Sequence, residues 1–82
     1  MSSQALFLIG EIIMSTFHER LRSLRESRNI PVSAMLELLQ MTRRNYQRYE
    51  KGEVDPPSSK LVVLANYFGV STDYLLGRTD KP

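Results

Sequence analysis

The 82-residue sequence contains no cysteine and a single histidine, His18. Disulfide frameworks, thiolate zinc sites and cysteine nucleophiles are thereby excluded, and one imidazole cannot build a multi-histidine metal cage. No metal or other cofactor is expected. Glycine and proline occupy four positions each, too few for a fibrous or low-complexity chain. Long apolar runs are also missing. The most apolar stretch, Ala5 to Met14 (ALFLIGEIIM), is interrupted by Gly10 and Glu11 and falls well short of the roughly 20 residues of a membrane span. It lacks the basic residues ahead and the small-residue cleavage site behind that mark a signal peptide. The expectation is a reducing cytoplasm, with no membrane as partner.

What is present is a globular composition, 41% hydrophobic and 24% charged, on a chain short enough for one core. The organisation expected is an apolar extension over 1–14, a domain over 15–78 and a frayed tail over 79–82. The net charge of +2 is unevenly spread: eight of the eleven basic residues, but only three of the nine acidic ones, lie between Arg20 and Lys51. Such clustering suggests a polyanion partner, although an ordinary solvated surface shows similar counts.

Apolar periodicity and capping signals predict five short helices. Thr16 and Glu19 have capping-box spacing, and Phe17, Leu21 and Leu24 mark one face of a helix over 17–28. Asn29-Ile30-Pro31 breaks it. A second helix follows over 32–39 with Met35, Leu36 and Leu39 as its core residues, and Thr42 caps a third over 43–50 that turns Tyr46 and Tyr49 inward. The prolines of Glu53-Val54-Asp55-Pro56-Pro57-Ser58 make the clearest loop. A fourth helix over 58–68 buries Leu61, Leu64, Ala65 and Phe68 and stops at Gly69; Ser71 caps a fifth over 72–76, closed by Gly77.

Two short helices joined by a tight turn, the second opening with Arg43-Arg44-Asn45, have the layout of a helix-turn-helix, whose second helix enters the DNA major groove. Paired donors at its start suit guanine O6 and N7. On this reading Arg43, Arg44 and Arg48 are base readers, Gln47 is a weaker candidate, and Asn45 suits either adenine or a phosphate.

The stretch from Phe17 to Gly77 resembles the Cro and lambda-repressor type helix-turn-helix family, the phage-repressor-like regulators of xenobiotic-response-element type. The resemblance is carried by RLRSLRESRNI at 20–30, ELLQMTRRNYQRYEKGEVDPP at 37–57 and LVVLANYFGVSTDYLLGR at 61–78. It implies an all-α, five-helix lambda-repressor-like DNA-binding domain. By position it implies base contacts from Arg43, Arg44 and Arg48, backbone contacts from Thr42, Asn45 and Lys51, and a structural ion pair between Arg25 and Glu50. The implied function is a sequence-specific regulator of transcription, a repressor in the usual case. Its partner would be a double-stranded DNA operator, its binding state a homodimer, and its setting the nucleoid of a bacterial or phage-infected cell.

Several positions depart from the family pattern. Val32 stands where Gln usually grips a phosphate, Leu36 where Ala allows close helix approach, and Gln40 where Gly makes the turn, which demands a left-handed residue at about 1 kcal/mol. Glu53 and Asp55 occupy a loop in which basic residues often hold the DNA backbone. These departures keep a rival reading open: a protein-interaction module, such as an antitoxin or anti-repressor, on a fold with weak or no DNA binding. Catalysis has little support, since His18-Glu19 lacks a second histidine and no glycine-rich phosphate loop is present. The apolar residues Leu6, Phe7, Leu8, Ile9, Ile12 and Ile13 suggest either a dimer contact or an extension ahead of a true start at Met14.

Overall fold

The computed structural model describes residues 17–82, and the readings made on the first sixteen residues, including the capping box at Thr16, lie outside them. Every regular element among the described residues is helical. The chain is helical from 17 to 27 (α1) and continues through α2 (Val32–Leu39), α3 (Arg43–Glu50), α4 (Ser58–Phe68) and α5 (Thr72–Leu76). In α3 and α5 the side chains of Thr42 and Ser71 accept the amides of Asn45 and Tyr74, each satisfying an otherwise orphan donor. Pro31 and Pro57 precede α2 and α4 with extended backbone, their carbonyls accepting amides of the first helical turn.

All five helices end alike. A residue in left-handed conformation, in turn Asn29, Gln40, Gly52, Gly69 and Gly77, is followed by an amide that reaches back to the carbonyl five residues earlier. These bonds run from Ile30 to Arg25, Met41 to Leu36, Glu53 to Arg48, Val70 to Ala65 and Arg78 to Asp73, at 2.9–3.1 Å. This closure reverses the chain sharply, which lets five short helices wrap one core. Gln40 adopts φ 53° without a glycine's freedom. The Lys60 ammonium of α4 helps hold this turn, donating to the Leu39 carbonyl at 2.8 Å.

The core is built from Phe17 and Leu21 of α1, Met35 and Leu39 of α2, Tyr46 and Tyr49 of α3, Leu64, Ala65 and Phe68 of α4, and Leu75 of α5. Leu24, Leu36 and Leu61, expected inside, are only partly buried and pack along the rim. Leu36, at the position where Ala allows close helix approach, is among these partly exposed residues. An edge-to-face contact of Phe17 with Tyr49 binds α1 to α3, and Tyr49 makes a second such contact with Tyr46 of its own helix.

The tail does not fray as expected. Arg20 of α1 sends Nη1 to the carbonyls of Tyr74 and Thr79 at 2.7 and 2.6 Å and Nη2 to the Asp80 carboxylate at 2.8 Å. Its guanidinium also lies 4.0 Å from the centre of the Tyr74 ring. The Ser71 amide donates to the Pro82 carbonyl at 3.0 Å. An arginine fork thus ties α1 to the end of α5 and the residues after it, an arrangement with no local signature around residue 20.

Candidate nucleic-acid interface

The placement of α3 begins at its buried side. Arg25 donates from Nε and Nη2 to the two carboxylate oxygens of Glu50 at 2.7 and 3.1 Å, and from Nη1 to the Ile30 carbonyl at 3.1 Å. Tyr46 donates its phenolic hydroxyl to the same carboxylate. The two charged side chains are only 14% and 13% exposed, so removing either would leave the other's charge nearly buried without a counter-charge. The hydrogen bond with Glu50 pushes the Arg25 pKa above its ordinary value. Burial, reinforced by the bond to Glu50, pushes the Tyr46 phenol far above the usual tyrosine range, and burial raises Tyr49 as well. Glu50 is therefore structural: it fastens α3 to α1.

A second fastening lies at the end of α3. His18 Nδ1 donates to the Glu50 carbonyl at 3.3 Å, and the imidazole packs against Gly52, where an added Cβ would come within 2.8 Å of the ring. Nothing in the local sequence signalled this contact, because His18 and Gly52 meet only after α1 and α3 cross.

With Tyr46, Tyr49 and Glu50 facing inward, the helical period turns Arg43, Arg44, Gln47, Arg48 and Lys51 to solvent, all of them exposed. Thr42 and Asn45 are exposed beside them, joined by the capping bond at 3.2 Å. The structure thus brings the seven candidates for DNA contact onto one face and its N-terminal edge. Arg43, Arg44 and Lys51 have no side-chain partner among the described residues. Arg48 differs, its Nε lying 3.6 Å from Glu53 Oε1.

The wider basic cluster does not form one face. Arg20 and Arg25 are committed to protein acceptors, Arg22 pairs with Glu26 at 3.3 Å, and the Arg28 guanidinium lies 5.4 Å from the centre of the Phe68 ring. Arg20 and Arg25 therefore serve the fold, whereas Arg22 and Arg28 stay exposed on and just after α1, and Arg43, Arg44, Arg48 and Lys51 are exposed on α3 and its flank. Val32 is partly buried against the core, which accounts for an apolar residue at the start of α2. Among the described residues no three of the His, Asp and Glu side chains converge to hold a metal ion.

Two exposed arginines at the start of a capped helix, held across a tight turn from a preceding helix, define a helix-turn-helix. The chain belongs to the helix-turn-helix domain family, whose model matches residues 18–81. It is 39% identical over 64 residues to the HTH-type transcriptional regulator YobD of Bacillus subtilis (strain 168), covering 78% of this chain and 57% of the relative. It is 41% identical over 63 residues to YonR of the same organism, an HTH-type transcriptional regulator derived from the SPbeta prophage, covering 77% and 58%. Identity to the HTH-type transcriptional regulator ImmR, also of Bacillus subtilis (strain 168), is 34% over 62 residues, covering 76% and 49%. The chain thus spans about half the length of the curated relatives it matches. No solved structure gives a significant match.

Proposed function

We propose that this chain is a sequence-specific, non-enzymatic DNA-binding module of a transcriptional regulator, with α3 as the helix that enters the major groove. The observation that carries the reading is the adjacent pair Arg43 and Arg44: exposed, without a side-chain partner among the described residues, and placed at the capped start of α3. Arginine in that place forks onto guanine O6 and N7, with Gln47 and Arg48 one turn further along the groove. Thr42, Asn45 and Lys51 flank them as phosphate contacts. The relatives' names as transcriptional regulators support the same class.

A two-fold dimer on half-sites one helical turn apart is the binding state proposed. Repression is the proposed outcome, through occupation of an operator in the bacterial nucleoid. Among the described residues no helix is long and apolar enough to cross a membrane.

The test is selection of bound sequences from a randomised duplex pool at moderate salt, with the Arg43→Ala/Arg44→Ala variant alongside. The expected result is enrichment of a short inverted repeat whose base preferences relax in the variant. If the natural chain enriches nothing at low or moderate salt, the DNA reading is wrong. The search then turns to a protein partner, a reading that the acidic Glu53 and Asp55 beside α3 favour.

A further inference from the structure

The closure of α3 carries an ion pair where this turn ordinarily makes an apolar contact. In such closures the residue after the left-handed one lies over the residue whose carbonyl its amide reaches, and the two side chains meet. At the ends of α2 and α4 those positions hold Leu36 with Met41 and Ala65 with Val70; at the end of α3 they hold Arg48 with Glu53. The Glu53 amide reaches the Arg48 carbonyl at 2.9 Å, and Glu53 Oε1 lies 3.6 Å from Arg48 Nε. The backbone that sets this pairing is itself constrained. Gly52 sits at φ +75° against the His18 ring, so the contact with α1 fixes the turn that delivers Glu53 to Arg48.

We infer that Glu53 is a positioning residue for base readout by Arg48, an inference that rests on the DNA-binding reading above. A carboxylate at Nε occupies that side of the guanidinium and leaves the Nη1–Nη2 edge as its free pair of parallel donors, the shape that matches guanine O6 and N7. Arg44, one turn earlier on the same face, has no such partner among the described residues. The pair adds little to folding, because both side chains are about half exposed, 48% and 53%, and exposed ion pairs contribute little stability. Near DNA the same carboxylate repels phosphates on every duplex alike while it holds one arginine in a reading geometry. It therefore trades affinity for discrimination.

The experiment is selection from a randomised duplex pool with the full chain in four forms: natural, Glu53→Gln, Arg48→Gln and the double variant. Melting temperatures are recorded for each. The expected result is that Glu53→Gln loses about fivefold of the preference at one base-pair position, keeps the other positions and melts as the natural chain does. In the Arg48→Gln background the same substitution should change no base preference, the pattern of a residue acting through another. If Glu53→Gln raises affinity for all duplexes and leaves every preference intact, Glu53 acts on phosphates alone; the inference then falls and the DNA reading stands. An equal loss with Arg48 already removed overturns it too. If the natural chain enriches nothing, the DNA reading falls and this inference with it.

Discussion

Four arginines lie on and just after α1, and three arginines and a lysine lie on and just after α3, yet two of the first set, Arg20 and Arg25, do the opposite of Arg43 and Arg44. Arg20 meets two carbonyls, a carboxylate and a tyrosine ring, while Arg25 grips Glu50 with a two-point fork. Arg43 and Arg44 face solvent and hold no side chain among the described residues. The residue type is the same; what differs is whether acceptors from other elements converge on it. A guanidinium given carbonyls and carboxylates becomes a structural rivet, and one left without them is available to an outside anion. The lesson for reading basic clusters is that charge counted along a chain overstates the charge available to a partner, here by the two arginines of α1 that the fold consumes.

The sharpest way to break this contrast is to remove one arginine set at a time. Arg25→Ala leaves Glu50 nearly buried without its counter-charge, and should lower stability by about 3–5 kcal/mol in urea or thermal unfolding. Duplex binding is then lost only because the fold is lost. Arg43→Ala/Arg44→Ala should do the reverse: unfolding unchanged within about 0.5 kcal/mol, and affinity for the selected duplex reduced by about 1–3 kcal/mol per lost base contact. Equal stability losses in the two variants would erase the distinction between rivet and reader.

Next in size is Arg20→Ala. It removes the bonds to the Tyr74 and Thr79 carbonyls and the Asp80 carboxylate, and should cost about 2 kcal/mol, with faster amide exchange over 78–82 and unchanged base preference. A smaller effect of opposite sign is expected at the turn between α2 and α3. Gln40 is exposed and holds φ 53°, so Gln40→Gly should stabilise the domain by roughly 0.5–1 kcal/mol, read as a higher urea midpoint. If binding weakens as well, Gln40 touches DNA and belongs with the α3 set.

Last comes the pH dependence of the network behind α3. Burial and Glu50 raise the Tyr46 phenol above its ordinary value of 10.0. Above that pH the unfolded chain releases a proton that native Tyr46 retains, so stability falls as pH rises. The fall starts at the ordinary value and runs on through the raised one. Tyr46→Phe should be less stable near neutrality, having lost the bond to Glu50, and should show a shallower decline above pH 10. An identical slope in the two proteins would place the alkaline loss elsewhere.

Much of the helical pattern was legible locally. Thr42 and Ser71 announced the starts of α3 and α5, Pro31 and Pro57 preceded α2 and α4, and Gly69 and Gly77 ended α4 and α5 at the residues observed. Caps and prolines act within a few residues, so a linear reading finds them. Less legible were burial depth and the partners of long side chains. Leu24, Leu36 and Leu61 fit the apolar stripe but sit at the rim, because depth depends on which helix crosses above. The tethering of the tail by Arg20, the grip of Lys60 on the Leu39 carbonyl and the meeting of His18 with Gly52 were not legible for a related reason. Each joins residues 21 or more positions apart, and no periodicity reports such a meeting.

The sequence by itself determined the number of helices, their capping and breaking residues, and the inward turn of Tyr46 and Tyr49 that sends Arg43, Arg44, Gln47 and Arg48 outward. These follow from backbone preferences and a helical period that any short segment carries. Only the tertiary structure decided which basic residues are consumed by the fold, that the tail is fastened by Arg20, and that Glu53 is delivered to Arg48. A long flexible side chain takes its role from acceptors brought by distant elements, and their positions exist only once the helices have packed.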